Sequence, residues 1–329
     1  LLPNELRYIS CKNVDELWEA IKNLKGLKVV AFRERSGIPE IIPRKIKANV
    51  ESIVINQNPY GVPAKDKAKW LEHINVPEKS ENIYYFGCTA ALKLPYLAEA
   101  MVAILKGSNV EFGVLREEPC CGGYALRAGY WKVMVNQANR LMEALKRAGA
   151  KRIIVTCAGC YRTLKKDYPE YLDGFDFEVV SAVEVAWELI NSGRLKNFGL
   201  LNVKVTYHDP CHLGHHCGVY GPPREILHSI PGLKLLEVSG REEASTCCGA
   251  GGGVKAIHPE LSLKICEARV LELVKTGVET IVSACPFCEL NMKDAVKELK
   301  INVKVMDIIE ILTEARKSYN PASTGKRFI

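Results

Sequence analysis

Apolar positions along the chain follow two periods. The runs Ile83-Tyr-Tyr-Phe-Gly-Cys88, Lys151-Arg-Ile-Ile-Val-Thr-Cys157, Val205-Thr-Tyr-His-Asp-Pro-Cys211 and Glu279-Thr-Ile-Val-Ser-Ala-Cys285 are short and rich in β-branched and aromatic residues. They read as strands, each delivering a cysteine at its C-terminal end. Between them the period lengthens to that of a helix: Tyr130 to Ala148 carries apolar residues at spacings of three and four and stops before Gly149, a plausible C-cap, and Pro259 to Thr276 stops before Gly277. A further helical pattern, NVDELWEAIKNL, follows Cys11. Strands alternating with helices predict parallel α/β sheets, whose ligands sit beyond the C-terminal strand ends. The strand-end cysteines are therefore expected along that edge.

The pattern occurs twice. Cys88, the adjacent pair Cys120–Cys121 and Cys157-Ala-Gly-Cys160 are followed by Cys211, Cys247–Cys248 and Cys285-Pro-Phe-Cys288. Equivalent cysteines lie 123 residues apart for Cys88 and Cys211, 127 for Cys120 and Cys247, and 128 for both positions of the CxxC motifs. A near-constant offset marks an internal duplication. Ten of the 13 cysteines belong to it, and Cys11, Cys217 and Cys266 do not. Both cysteine pairs lie in glycine-rich turns, Pro119-Cys-Cys-Gly-Gly123 and Thr246-Cys-Cys-Gly-Ala-Gly-Gly-Gly253, each leading into a helix. Backbone N–H groups there can approach a thiolate closely and stabilise its charge. Neither turn has the spacing of a phosphate-binding loop.

Composition narrows the chemistry. The 329 residues are 47% hydrophobic and 25% charged, which excludes disorder and leaves room for two or three cores. Apolar stretches such as Leu94 to Leu105 are too short to span a bilayer. The opening residues lack the apolar segment of a secretory signal, so a cytoplasmic location is expected, although a first residue of Leu leaves an upstream segment open. The formal charge of +7 is spread out, with no basic block, and nucleic-acid binding is not indicated. An odd count of 13 cysteines without a signal points to metal or redox chemistry rather than structural disulfides. Each set supplies five thiolates where zinc or a cubane cluster takes four. The surplus fits an iron–sulfur cluster in which one thiolate bridges irons or serves separately in redox chemistry. Structural zinc and catalytic thiols stay open as alternatives, and the ferredoxin run C-x2-C-x2-C-x3-C is absent.

Each set reads C-x31–35-CC-x35–36-CxxC. This resembles the duplicated CCG cysteine-rich domain of heterodisulfide reductase catalytic subunits, shared with iron–sulfur subunits of glycolate oxidase, anaerobic glycerol-3-phosphate dehydrogenase and L-lactate utilisation proteins. The resemblance covers roughly residues 81 to 315. It implies an α/β protein with a mainly helical N-terminal spacer (1–80) and two CCG domains (81–200 and 201–329) with parallel, Rossmann-like cores. It also implies two noncubane [4Fe–4S] clusters, one held by Cys88, Cys120, Cys121, Cys157 and Cys160 and the other by Cys211, Cys247, Cys248, Cys285 and Cys288, facing a common pocket. The implied activity is that of an oxidoreductase subunit cleaving or forming a disulfide in a small thiol substrate. The alternative is an electron-transfer subunit of a flavin-dependent hydroxyacid or glycerol-3-phosphate dehydrogenase, passing electrons to a quinone. Either version implies a heteromeric complex with a ferredoxin-like iron–sulfur or flavin subunit, and peripheral membrane association through such partners.

Other residues are read beside this frame. His208, His212, His215 and His216 crowd Cys211; one of them could protonate a leaving thiolate, His212 first because it adjoins that cysteine, or they are hydrogen-bonding groups around the ligands or solvated loop residues. Cys217 has no counterpart in the first half and reads as incidental, Cys266 as a core thiol on a helix, and Cys11 as structural or exposed. Tyr84, Tyr85, Phe86, Tyr124 and Phe287 flank the cysteines and would shield clusters from water, although a core role explains them equally well. Arg162, Lys165 and Lys166 form a solvated face or attract an anionic substrate or docking partner. Asn58-Pro-Tyr-Gly61 with Trp70 is a turn that also resembles the spacer following a ferredoxin domain in longer relatives, so the stretch from Asn58 to Trp70 is the expected docking surface for a separate ferredoxin-like partner.

Overall fold

The computed structural model describes residues 42–319. Cys11 and the helical pattern after it lie outside them. The first element is helix α1 (Arg44–Asn56), which buries Ile46, Val50 and Ile53, a stripe at i, i+4 and i+7. Two single 3-10 turns, Ala64–Asp66 and Lys69–Leu71, complete the approach to the first sheet.

That sheet is built from β1 (Asn82–Tyr85), β2 (Arg152–Val155) and β3 (Glu178–Ser181), in that spatial order and all parallel. Helices α2 (Cys88–Lys93), α3 (Pro95–Gly107), α4 (Gly123–Arg127) and α5 (Trp131–Ala148) lie between β1 and β2. After β2 come α6 (Ala158–Arg162), a π-turn at Thr163–Asp167 and α7 (Tyr168–Tyr171), and β3 feeds α8 (Ala182–Asn191). The second sheet holds β4 (Lys204–His208), β5 (Lys234–Leu235), β6 (Thr280–Ser283) and β7 (Lys304–Asp307) in the order β5-β4-β6-β7, again all parallel. Its helices are α9 (Gly221–His228), α10 (Val254–Ile257), α11 (Pro259–Val274), α12 (Pro286–Glu298) and α13 (Ile308–Lys317).

The duplication extends to topology. Gly113 bridges to the outer edge of β1 at Ile83, in the place that β5 takes beside β4. Both terminal strands run into a helix through a capping box, Ser181 with Glu184 and Asp307 with Glu310. Gly149 terminates α5 in the left-handed conformation, as the sequence predicts, and α11 ends at Val274, short of Gly277. The halves are packed on one another: α8 lies against α9, and α13 returns to pack on α3. No helix among the described residues is long and apolar enough to cross a membrane.

Candidate metal centre

The C-terminal ends of the central strands carry the cysteines. Cys88 opens α2 immediately beyond β1, Cys157 is the N-cap of α6 beyond β2, Cys285 is the N-cap of α12 beyond β6, and Cys211 lies in the turn after β4. The two pairs stand in the turns before α4 and α10. All ten sulfurs are brought into one continuous run of thiol contacts. From one end it reads Cys88, Cys120, Cys121, Cys160, Cys157, then Cys285, Cys288, Cys248, Cys247, Cys211. The two sets meet at Cys157 and Cys285, the first cysteine of each CxxC, and the order on either side of that seam is mirrored.

None of the ten is in a disulfide. Sγ of Cys121 lies 3.4 Å from that of Cys160, and Sγ of Cys248 lies 3.2 Å from that of Cys288; a bonded pair would sit near about 2.05 Å. The glycine after each pair donates its N–H to the first sulfur, Gly122 to Cys120 at 3.5 Å and Gly249 to Cys247 at 3.3 Å. Cys88, Cys121, Cys247 and Cys285 are held below the ordinary thiol range, first by a hydrogen bond from a neighbouring thiol, Cys247 at about 2. Cys120, Cys160, Cys211, Cys248 and Cys288 are pushed up, first by that same neighbour contact and then by burial. Cys157, between Cys160 and Cys285, is raised as well. Ten crowded thiols cannot all ionise against one another. What such a donor set lacks is positive charge in its midst, and metal ions supply it. The residues present therefore fit iron–sulfur ligation, with one five-thiol set on each side of the seam.

The walls differ between the halves. Tyr84, Tyr85 and Phe86 are fully buried, and Tyr168 donates to the carbonyl of Cys121 at 3.0 Å. Tyr124 and Phe287 are only partly buried. Glu118 accepts from the N–H groups of Phe86 at 2.8 Å and Gly87 at 3.0 Å, fixing the step from β1 to Cys88. Lys67 reaches it from the spacer at 2.9 Å and is itself buried. Burial raises Glu118 to about 7 against the pull of Lys67; burial alone would lower Lys67, but Cys88, Glu118 and Cys120 hold its ammonium above the usual lysine value. Sequence reasoning missed this pair, whose members are 51 residues apart. The equivalent of Glu118 in the second half is Ser245, which accepts from the buried Arg269 at 3.2 Å.

Gly87 adopts φ 77° and ψ 159°, a backbone region open essentially to glycine alone. A Cβ there would point at Sγ of Cys160 from 3.4 Å. Gly87→Ala is expected to cost about 1–3 kcal/mol through strain, read as a lowered urea midpoint; an unchanged midpoint would show that the step to Cys88 relaxes freely.

The histidines divide by position. His212 stands at the seam: a Cβ on Gly159 would lie 3.3 Å from its Nδ1 and 3.6 Å from Sγ of Cys157. Burial, with Arg127 and Arg162 beside it, pushes it down to about 3, and His216, stacked edge-on against it at 5.4 Å, to about 4. Both imidazoles are thus neutral near pH 7, so His212 would offer a neutral ring N–H rather than an imidazolium. His215 turns away to the carbonyl of Glu243 at 3.1 Å. Arg162 is partly buried with no hydrogen bond or ion pair among the described residues, whereas Arg127 pairs with Asp167. Cys217 is partly buried with Lys165, Lys166 and Arg162 near it. Cys266 is buried in the core on α11, where burial lifts its thiol to about 12.

The spacer is built into the site. The side-chain oxygen of Asn58 accepts from the Tyr60 N–H at 2.9 Å while its amide donates to the carbonyls of Asn56 and Val62, and Asn58 is fully buried. The carbonyl of Gln57 lies 3.6 Å from Sγ of Cys88, Tyr60 meets Thr89 at 2.8 Å, and Trp70 packs edge-on against Phe86 at 5.1 Å. The stretch expected as an open docking surface is thus largely spent on the first cysteine set; its exposed residues are Gly61, Pro63, Ala64, Lys65 and Lys69.

Comparison with known proteins agrees with this geometry. The family model of the cysteine-rich domain CCG matches residues 83–165 and 205–293. The chain is 38% identical over 312 residues to a subunit of the dihydromethanophenazine:CoB–CoM heterodisulfide reductase of Methanosarcina mazei, covering 92% of this chain and 73% of that protein. It is 36% identical over 282 residues to an EtfAB:quinone oxidoreductase of Syntrophomonas wolfei, covering 79% of this chain and 39% of that one. Among solved structures, a hypothetical protein from Helicobacter pylori superposes with a TM-score of 0.57 at 14% identity, over 84% of this chain and 58% of that chain, a likeness of fold alone.

Proposed function

Because this chain belongs to the CCG cysteine-rich domain family of iron–sulfur oxidoreductase subunits, we propose that it cleaves or forms a disulfide at paired clusters, one in each five-thiol set. Cys88, Cys120, Cys121, Cys157 and Cys160 hold the first, and Cys211, Cys247, Cys248, Cys285 and Cys288 the second; both are of the noncubane [4Fe–4S] type and would supply one-electron steps on either side of a substrate sulfur pair. The domains run from 81 to 200 and from 201 to 329, with the spacer serving as the wall of the first site. The observation that carries the reading is the mirrored run of ten thiols meeting at Cys157 and Cys285. A relay to a distant acceptor needs no such symmetry, whereas a substrate S–S bond presents two equivalent sulfurs.

Reduction of that bond consumes two electrons and two protons and releases two thiols. The electrons come from a partner subunit carrying iron–sulfur clusters or a flavin, through which any contact with a membrane is made. At the seam, Arg162, whose side chain has no ion pair among the described residues, offers its guanidinium for an anionic group on the substrate, and His212 is assigned to proton handling from its position beside Cys157. The similarity to an EtfAB:quinone oxidoreductase keeps the second reading in view, in which electrons from a flavoprotein pass onward to a quinone. The test is to isolate the native complex and supply reduced partner with either a small disulfide or a quinone. Release of two thiols per two electrons is the expected result. Quinone reduction without thiol release would replace the proposal by the second reading, and rapid reduction of the isolated chain by a pyridine nucleotide would overturn the need for a partner.

A further inference from the structure

The repeat places Tyr85 and His208 at equivalent positions, each three residues before the single cysteine of its set. Both are fully buried. Tyr85 turns its hydroxyl away, donating to the carbonyl of Pro119 at 2.8 Å. His208 does not. A ring nitrogen of His208 and the sulfurs of Cys248 and Cys288 all lie within 4.8 Å of one another. On the far side, Nε of Arg269 lies 3.3 Å from Nδ1. Arg269 is held in place by further bonds to the carbonyl of Gly240 at 2.9 Å, Glu272 at 2.7 Å and Ser245 at 3.2 Å.

A guanidinium has donors and no acceptor. Nδ1 must therefore present its lone pair to Arg269, which places the proton of the neutral ring on Nε2. That Nε2 is buried and has no partner among the described atoms. The ring lies beside two thiols of the second set, and its buried Nε2–H, which no described atom accepts, calls for an acceptor. We infer that His208, fixed in one tautomer by Arg269, donates an N–H···S hydrogen bond to the second cysteine set and makes it the more readily reduced of the two. The inference rests on the paired-cluster reading above.

Hydrogen bonds to the sulfurs and nearby charge are among the levers that set cluster potentials, because they stabilise the more negative reduced state. The second set has this N–H and the buried Arg269, whose carboxylate partner Glu272 is one-third exposed. In the first set the buried cation Lys67 is matched by the buried carboxylate of Glu118, and the hydroxyl of Tyr85 is engaged elsewhere. His208 is thus a positioning residue that biases an arriving electron towards the second half.

The test uses the full chain with its metal content measured first. Redox titration followed by electron paramagnetic resonance should give two signals with distinct midpoints. His208→Leu should shift the higher one down and leave the lower one in place; His208→Gln, which keeps an N–H at the end of the side chain, should restore most of the shift; Tyr85→Phe should move neither. In 15N-labelled protein, pulsed resonance should find a weak histidine nitrogen coupling at the higher-potential cluster, a coupling that His208→Leu removes. Two clusters whose midpoints ignore His208→Leu would overturn this inference and leave the paired-cluster reading standing. A strong coupling, diagnostic of direct nitrogen ligation, would overturn the hydrogen bond. A chain that binds zinc, or one cluster only, would overturn the functional reading and this inference with it.

Discussion

Purified without oxygen, the full chain is expected to be brown and to carry about eight irons with a matching amount of acid-labile sulfide, four for each five-thiol set. Cys88→Ser and Cys211→Ser should each reduce the iron to about four per chain, and the two variants should lose different paramagnetic signals. The equivalence follows from their positions: both cysteines stand beyond the first strand of their sheet and end the run of thiol contacts. Cys266→Ala is the control. That residue lies on α11 in the core, with its thiol raised to about 12 by burial, so it has neither the position nor the thiolate character of a ligand. Stoichiometric zinc without labile sulfide would refute the cluster assignment, and loss of a cluster signal in Cys266→Ala with none in Cys211→Ser would refute the repeat alignment.

Local patterns made half of the architecture legible. The four strands that deliver cysteines were readable because each is a short β-branched run ending in a marked residue, and α5 because its period ends at a glycine. Strands β3 and β7 carried weaker marks, four residues each without a cysteine. Their signal lay instead in the capping boxes that follow, Ser181-Ala-Val-Glu184 and Asp307-Ile-Ile-Glu310. Helix α1 showed a readable stripe at Ile46, Val50 and Ile53. The seam was readable only through the resemblance, which implies a common pocket, and no local pattern showed which cysteines meet there. Cys157 and Cys285 are 128 residues apart, and only the folding of two sheets side by side brings them together. The same holds for the wall residues: periodicity says that a lysine in the spacer is polar, and nothing local says that its partner is a glutamate two residues before a cysteine pair.

That lysine supplies the second large expected effect. Lys67 and Glu118 are 1% and 0% exposed, and Lys67 also lies over the rings of Tyr85 and Phe86 at 5.9 and 5.5 Å. Removing one member of a buried ion pair strands the other charge away from water and costs about 3–5 kcal/mol, a large part of the 5–15 kcal/mol margin of an ordinary domain. Lys67→Met is therefore expected to lower the urea midpoint steeply at pH 8. Lys67→Met with Glu118→Gln should recover part of the loss, because the glutamine oxygen still accepts from the N–H of Phe86 or Gly87 and no buried charge is left. The consequence for function follows from what Glu118 holds: with its carboxylate unmatched, the turn that presents Cys88 loosens while the second half keeps its own wall of Arg269, Ser245 and His208. Lys67→Met should then lose iron from the first set before the second. Equal loss from both, or a midpoint equal to that of the unmodified chain, would show that the spacer does not support the first site.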